Sequence, residues 1–239
     1  MSKNYIGQMG YTIYKDEITN ETAKYIENEL NVKPFVPKAM GMQKPISFPV
    51  YRESASRYYL PKFFGISNFG DVNCKLPKGE EINAKFNGTL RDYQTRIVSK
   101  YIDYVKKNGT NYGGGCLEIA TGMGKTVMGI DIISKMRLKT IILVHKEFLM
   151  NQWIERITEF MPDARVGKLQ GKVIDIEQKD IVIAMIQSLS MKEYNVDLFK
   201  CFGLMIIDEV HHMGAEVFSN SLCKVVTPYT LGLSATMER

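Results

Sequence analysis

Residues 115–136 read GCLEIATGMGKTVMGIDIISKM, and this stretch decides the fold class of the chain. The apolar run over 115–120 predicts a β-strand, and the amphipathic pattern over 124–136 predicts a helix. Glycines between them let consecutive backbone N–H groups curl around an anion, and the helix N-terminus adds partial positive charge. The stretch therefore predicts a phosphate-binding loop. It departs from the strict G-x-x-x-x-G-K-[ST] pattern at Ile119, which stands at the first glycine position.

Two side chains of this loop carry the chemistry. Lys125 is placed to reach the β- and γ-phosphates of a nucleotide, and the Thr126 hydroxyl is placed to bind Mg²⁺. A chance G-x-G-K-T in an ordinary loop is the alternative, and the flanking strand and helix argue against it. The predicted nucleotide-binding residues of the loop are Thr121, Gly122, Met123, Gly124, Lys125 and Thr126.

A second strand ends in two carboxylates, Asp208 and Glu209, about eighty residues after the loop. Carboxyl ends of parallel strands line the ligand crevice of α/β sheets. We therefore expect Asp208 to hold Mg²⁺ and Glu209 to activate the attacking water. His211 and His212 could suggest a zinc site, but adjacent histidines without a third ligand do not predict one. His211 is instead predicted to link the nucleotide site to a neighbouring loop.

Short β-branched runs alternate with amphipathic stretches through the C-terminal two thirds of the chain, which is typical of β-α-β units and a parallel sheet. A helix is predicted to begin with a capping box over 89–92. The other predicted strands are 140–145, 181–186, 204–210 and 230–234, and the other predicted helices are 146–160 and 215–226.

The composition changes near residue 88, since six of the eight prolines precede it. We predict a small α+β accessory domain over 1–87, with a strand at 10–14, a helix at 21–31 capped by Asn20, and short strands at 47–53 and 57–60. Its aromatic and lysine side chains are either a nucleic-acid surface or the core of a small domain. The second predicted domain is 88–239.

Composition excludes some classes of protein. The four cysteines form no C-x-x-C pair, which argues against a zinc site or a disulfide framework and for an intracellular, reducing compartment. No apolar run predicts a membrane span or a secretory signal. The net charge of +5 favours a polyanionic partner only weakly.

The ordered motifs resemble those of superfamily 2 helicases of the DExH group. The loop resembles motif I, where a non-glycine first position is common; 208–211 resembles motif II, and 233–236 resembles motif III. Residues 90–94 (LRDYQ) are similar to the L-R-x-Y-Q element of the branch with XPB-type and UvsW-type helicases. Finer similarity, at 202–203 and 232–236, is to helicases of large DNA viruses, including the poxviral transcript-release type.

The resemblance implies a RecA-like parallel sheet flanked by helices, with ATP and Mg²⁺ as cofactors and DNA, or a DNA–RNA hybrid, as the nucleic-acid partner. It implies that Gln94, with Arg91, contacts adenine. Residues 142–153 resemble motif Ia and 186–189 the segment after motif Ib, both of which line the nucleic-acid track. The residues it assigns to nucleic-acid contact or coupling are His145, Lys146, Gln187, Ser188, Ser234, Ala235 and Thr236.

Three functions stay open: a helicase, a translocating motor without strand separation, and a nucleotide-gated nucleic-acid binding module. The family uses a second RecA-like domain, and motif III ends next to Arg239. We therefore expect a fragment that is nearly inactive in isolation and lacks that domain. Core burial is expected of Trp153 rather than base stacking. A cap of the short following helix is the alternative role for Gln187, and a place in the core is the alternative role for Tyr93.

Overall fold

The computed structural model describes residues 3–33, 47–106, 111–209 and 216–235. The chain divides into two compact units. The first comprises Met1–Leu76 with Met213–Val226, and the second comprises Pro77–His212 with Thr227–Arg239. Among the described residues, no helix combines the length and apolar character needed to cross a bilayer.

The first unit contains a five-stranded sheet in the order β5-β6-β2-β1-β7 and a separate β3–β4 pair. In the sheet, only the β1–β7 pair is parallel. The strands are β1 (Tyr5–Gly7), β2 (Gly10–Tyr14), β3 (Asn31–Val32), β4 (Phe48–Pro49), β5 (Arg52–Glu53), β6 (Arg57–Leu60) and β7 (Asn73–Cys74). A 3-10 turn, Lys15–Glu17, follows β2.

The helices of the first unit are α1 (Asn20–Glu29), α2 (Lys62–Phe69) and, from the second segment, α7 (Glu216–Leu222). Helix α1 is capped by Thr19, whose hydroxyl accepts from the Thr22 N–H, so the prediction of Asn20 as the cap is wrong by one residue. Helix α2 packs on β2 through Gly65, where a Cβ would lie 2.1 Å from Cγ of Tyr11. The Arg52 guanidinium donates to the Cys223 carbonyl.

The second unit is built on a seven-stranded sheet in the order β11-β10-β12-β9-β13-β14-β8. All neighbours pair in parallel except β10 and β11. Its strands are β8 (Gly113–Glu118), β9 (Thr140–Val144), β10 (Val166–Gln170), β11 (Val173–Ile174), β12 (Ile181–Met185), β13 (Leu204–Asp208) and β14 (Tyr229–Ser234). The predicted α/β class with a parallel sheet is confirmed.

Two strands of this sheet, β10 and β11, were not predicted from the sequence. β10 carries Gly167 and Lys168 in its centre, and β11 has two residues with exposed side chains. Neither has the apolar run that marks the buried strands β9, β12 and β13. Their pairing at the edge of the sheet is decided by the strands beside them.

The helices of the second unit are α3 (Asp92–Lys106), α4 (Lys125–Met136), α5 (Glu147–Phe160) and α6 (Ile186–Met191), with a 3-10 turn at Val196–Phe199. α4 contacts both α3 and α5, while α3, α4 and α5 also contact β8, β13 and β9 respectively. Helix α3 begins at Asp92 rather than at 89, and the Gln94 side chain accepts from the Arg91 N–H at its start.

Residues 77–87 pack with the second unit, whereas the sequence places the boundary at 87/88. Ile82 and Ala84 are buried in its core. The Ile82 N–H donates to the Arg137 carbonyl (3.0 Å), and the Lys139 N–H donates to the Glu80 carbonyl (2.7 Å). Main-chain pairing of this kind leaves little mark on composition, which explains the difference.

Alternation along β13 sets the direction of its last side chain. Leu204 and Ile206 belong to the core cluster shared with α3, α4 and α5. Side chains two residues apart lie on the same face of a strand. Asp208 therefore continues the face that the helices cover and ends it with a carboxylate.

Candidate active site

The loop between β8 and α4 has the backbone that an anion-binding turn requires. Gly122 and Gly124 adopt left-handed conformations with φ of 81° and 83°, which favour glycine. The side chains of Thr121 and Met123 and residue Gly122 are exposed, and α4 begins directly after Gly124. Loop N–H groups and the N-terminus of a twelve-residue helix thus meet at one point.

Ile119 stands where the strict phosphate-loop pattern has its first glycine, and it has two contacts of its own. The Ile119 side chain is buried in the core, so this position does not require glycine. Its carbonyl accepts from Nζ of Lys125 at 3.2 Å. Thr126 follows Lys125 in the first turn of α4 and is half-buried.

The start of α3 is joined to this loop by two side chains. Nε2 of Gln94 donates to the Met123 carbonyl at 3.1 Å, and the Tyr93 hydroxyl donates to the same oxygen at 3.0 Å. Gln94 is only 7% exposed, while Arg91 is exposed. The structure thus brings Gln94 to the loop, and adenine contact by Gln94 and Arg91 stays a prediction. Tyr93, for which burial in the core was the alternative role, is half-buried and contacts the loop.

Asp208 is the most enclosed acidic side chain of the site. It is 7% exposed, and its Oδ2 accepts from the Trp153 indole N–H at 2.8 Å. Burial raises the pKa of the Asp208 carboxyl, and the charge of Glu209 acts in the same direction. The Trp153 hydrogen bond and the Lys125 ammonium partly oppose this rise in pKa. The Lys125 charge thus favours the ionised form of the Asp208 carboxyl.

Glu209 has an unusual backbone. Its φ of 57° lies in the left-handed region, which non-glycine residues adopt rarely and at a cost of about 1–3 kcal/mol. This conformation occurs directly after Asp208, the last residue of β13.

Strand β14 lies between the loop strand and the acidic strand. Its Leu233 is in register with Asp208 and its Ser234 with Glu118. Ser234 is fully buried, and its carbonyl accepts from the Ile119 N–H at 2.9 Å. Ala235 follows and is half-buried. The predicted coupling residue Ser234 thus contacts the strand that leads into the phosphate-binding loop, and Ala235 follows it.

The other predicted nucleic-acid residues follow β9 and β12, which are neighbours in the sheet. Nε2 of Gln187 donates to the His145 carbonyl at 2.8 Å, so Gln187 joins the first turn of α6 to the segment after β9 rather than capping α6. The Ser188 hydroxyl accepts from the Gly171 N–H at 2.9 Å. Lys146 is exposed beside His145. His211 and Thr236 lie outside the described residues.

Thr126 and Asp208 fit a magnesium ion by the chemistry of their donors. Mg²⁺ prefers oxygen ligands and is usually held by one or two protein groups together with water and phosphate oxygens. Among the described residues, no group of three or more His, Cys, Asp or Glu is assembled into a metal cage. A hydroxyl at the helix start and a carboxylate at a strand end match the sparse set that Mg²⁺ takes.

Comparison with known proteins identifies relatives of the chain. It is 36% identical to the predicted ATP-dependent RNA helicase L396 of Acanthamoeba polyphaga mimivirus, over 99% of this chain and 46% of that protein. It is 34% identical to the predicted helicase 161L of Invertebrate iridescent virus 6, over 76% of this chain and 41% of that protein. The chain thus spans about half the length of these relatives, and the resemblance to viral helicases is confirmed.

Solved structures share the fold. The UvsW helicase of bacteriophage T4 superposes with a TM-score of 0.57 at 16% identity, over 91% of this chain and 86% of that one. Residues 87–239 match the family model for the type III restriction enzyme, res subunit (ResIII). The chain therefore belongs to this family of superfamily 2 helicase-type ATPases.

Proposed function

We propose that the chain is the nucleotide-binding part of an ATP-driven motor that moves along or unwinds DNA or a DNA–RNA hybrid. The observation that carries this proposal is that the phosphate-binding loop and the acidic pair follow strands of the same sheet. The phosphate-binding loop follows β8, the acidic pair begins at the last residue of β13, and both strands pair with β14. Strand β14 joins both, and the bridge from Gln187 to His145 lies at the ends of neighbouring strands.

The residues have separate parts in the proposed reaction. Backbone N–H groups of the loop bind the phosphates, and Lys125 leaves the Ile119 carbonyl for the β- and γ-phosphates. Thr126 and Asp208 hold Mg²⁺, which when bound neutralises charge on the phosphate oxygens. Glu209 orients the attacking water and accepts its proton. Gln94 holds the loop through Met123 and presents its remaining amide capacity to the base.

The activity of the whole protein extends this proposal. In the resembling family a second RecA-like domain closes the ATP site and supplies arginines, which contribute about 10³–10⁵ in rate. We propose that the longer protein has such a domain and that the 239 residues bind Mg-nucleotide but turn it over slowly. Rapid, DNA-stimulated ATP hydrolysis by the 239-residue chain would contradict this proposal.

Nucleotide binding is tested by calorimetric titration of the chain with Mg-ADP. Lys125→Ala should weaken the affinity at least about 10-fold, because a charge-assisted phosphate contact is lost. Lys100→Ala is the matched control, since Lys100 is an exposed α3 residue outside the loop and should leave the affinity unchanged. Equal affinities of wild type and Lys125→Ala for Mg-ADP would contradict the proposed role of Lys125 in phosphate binding.

The nucleic-acid class is tested with oligonucleotides of one sequence as single-stranded DNA, duplex DNA, DNA–RNA hybrid and RNA. The mimivirus relative carries an RNA helicase name, so RNA is the direct competitor. We expect tighter binding to DNA or to the hybrid, weakened by salt because phosphate contacts release counterions. Preference for RNA would overturn the DNA proposal while leaving the motor class standing.

Strand displacement by the longer protein separates the three proposed modes. A helicase releases the displaced strand, whereas a translocase moves along the duplex and leaves it paired. A nucleotide-gated binding module does neither. Its nucleic-acid affinity changes with nucleotide, and Lys125→Ala leaves the function of the longer protein unchanged. We expect strand release that requires ATP and is lost in Lys125→Ala.

We also propose that the first unit takes part in nucleic-acid recognition. Among its aromatic residues, Tyr11 and Tyr58 are buried in the core, whereas Tyr25 and Phe63 are about two-fifths exposed. The exposed rings are available to stack on bases. Replacing both with leucine should weaken single-stranded DNA binding by the chain without unfolding it. Unchanged binding would leave the unit with a structural role alone.

A further inference from the structure

We infer that Trp153 is a positioning residue for motif II, which holds the Asp208 carboxylate in the orientation that a magnesium–nucleotide complex requires. The indole N–H donates to Oδ2 of Asp208 at 2.8 Å across 55 residues of sequence. Trp153 is 1% exposed and Asp208 is 7% exposed. The inference rests on the proposed function, because it assigns Trp153 a part in the same nucleotide site.

The surroundings of Trp153 keep the indole in place. Gly129 of α4 lies against the ring, and a Cβ there would be 3.0 Å from Cη2 of Trp153 and 3.6 Å from Cδ1 of Leu233. The ring is therefore enclosed by the helix that follows the phosphate-binding loop and by the end of β14. Asp208 reaches it because alternation along β13 turns Asp208 toward the helices.

The chemistry of the indole suits this task. Tryptophan has one N–H donor, no acceptor and no charge, so it can orient a carboxylate without neutralising it. A carboxylate has about four lone-pair sites, and a single donor leaves acceptor capacity for a cation. Groups that hydrogen-bond to a metal-binding carboxylate typically change metal affinity by about 10–100-fold when removed.

Trp153 also ties Asp208 to the element that carries the proposed nucleic-acid contacts. Helix α5 begins at Glu147, directly after His145 and Lys146. Lys146 and Trp153 are about 10 Å apart along the helix axis, given a rise of roughly 1.5 Å per residue. Because an α-helix is stiff over two turns, a shift at its start displaces the indole relative to the carboxylate.

The first test uses the fact that Trp153 is the only tryptophan of the chain. A ¹⁵N-labelled sample therefore has a single indole N–H resonance, and no assignment is needed. We expect this proton to be protected from exchange and to shift on addition of Mg-ADP and in the Asp208→Asn variant. The inference would be overturned if the indole proton exchanged freely and its resonance shifted neither with Mg-ADP nor in Asp208→Asn. This measurement needs no variant of Trp153.

The second test measures ADP affinity with and without Mg²⁺ for wild type and Trp153→Phe. We expect the gain in affinity from Mg²⁺ to fall about 10-fold in the variant, with the Mg-free affinity kept within about twofold. Phe160→Leu is the packing control, since this α5 ring stacks on Phe86 and should leave the magnesium gain unchanged. A benzothienyl isostere of Trp153, which lacks only the N–H, serves if Trp153→Phe does not fold.

The outcomes separate the two proposals. If the wild-type chain does not bind Mg-ADP, the proposed function fails and the role of Trp153 fails with it. If it binds Mg-ADP and the magnesium gain is the same in wild type and in Trp153→Phe or the isostere, only the positioning role is overturned. A loss of Mg-free affinity equal to the loss with Mg²⁺ would show a packing role and would also overturn it.

Discussion

The side-chain amide of Gln94 donates to the main-chain carbonyl of Met123 across 3.1 Å, while its oxygen accepts from the Arg91 N–H at 2.9 Å. One buried glutamine thus fixes the first turn of α3 to the phosphate-binding loop. The fit is close, because a Cβ at Gly124 would lie 2.4 Å from Nε2 of Gln94. Loss of either hydrogen bond is expected to loosen the loop as well as the proposed base contact.

Gln94→Glu tests this double role with little change in volume. The glutamate keeps the acceptor for the Arg91 N–H and places a second oxygen against the Met123 carbonyl, so a donor is lost and two acceptors face each other. We expect Mg-ATP affinity to fall about 10-fold, since unsatisfied buried polar groups cost about 1–3 kcal/mol. Arg96→Ala, at an exposed position of the same helix, should bind as wild type does. Unchanged affinity in both variants would contradict the prediction.

The two loop glycines offer a matched pair. Both have positive φ, but a Cβ at Gly122 meets nothing within 4 Å, whereas a Cβ at Gly124 collides with Gln94. Gly122→Ala adds only backbone strain of about 1 kcal/mol. Gly124→Ala adds the collision to the same strain, so its loss of Mg-ADP affinity should be at least about fivefold larger. Calorimetric titration with Mg-ADP measures both affinities. Equal losses of affinity in the two variants would show that the contact of Gln94 with the loop does not contribute to nucleotide binding.

Gly129→Ala should destabilise the second unit although alanine favours helices by about 1 kcal/mol. The added Cβ would lie 3.0 Å from the Trp153 ring, and that ring is held by Asp208. Overpacking of this kind costs about 1–3 kcal/mol. Urea denaturation followed by Trp153 fluorescence measures the change. Because phenylalanine is smaller, Gly129→Ala in a Trp153→Phe background should cost less, and an equal cost would place the strain elsewhere.

Stability of the first unit should depend on pH through Lys62. Burial lowers the pKa of this lysine from 10.5 to about 7, so between these values the unfolded state binds more protons than the folded state. Stability of the unit therefore rises as the pH is raised from about 7 toward 10 and is lowest below 7. Lys62→Met should stabilise the unit at pH 6 by about 2–4 kcal/mol and abolish this dependence.

Urea denaturation with pulsed hydrogen exchange of the β2 peptide reports on the first unit in the whole chain. Lys24→Met is the control, because Lys24 is exposed on α1 and should change neither the stability nor its pH dependence. If Lys62→Met and wild type have parallel pH profiles, the lysine is charged in the folded unit and the prediction is wrong.

The sequence predicted the elements around the nucleotide site because their signals are local. Strand 115–120 and helix 124–136 correspond to β8 and α4, and the predicted strands at 140–145 and 204–210 correspond to β9 and β13. Apolar runs and helical periodicity act within a dozen residues, so they are visible in the chain. The residue types of the loop and the acidic pair are visible for the same reason, since phosphate and magnesium demand particular side chains.

Only the tertiary structure decided which of these groups meet. The contacts from Trp153 to Asp208 and from Gln94 to Met123 join residues 55 and 29 positions apart, and periodicity places Trp153 in a core without naming its partner. The boundary moved to 76/77 because residues 77–87 pair through main-chain atoms, which all residue types share. By itself, the sequence thus determined the phosphate-binding loop and the acidic strand end, whereas long-range packing decided what orients them.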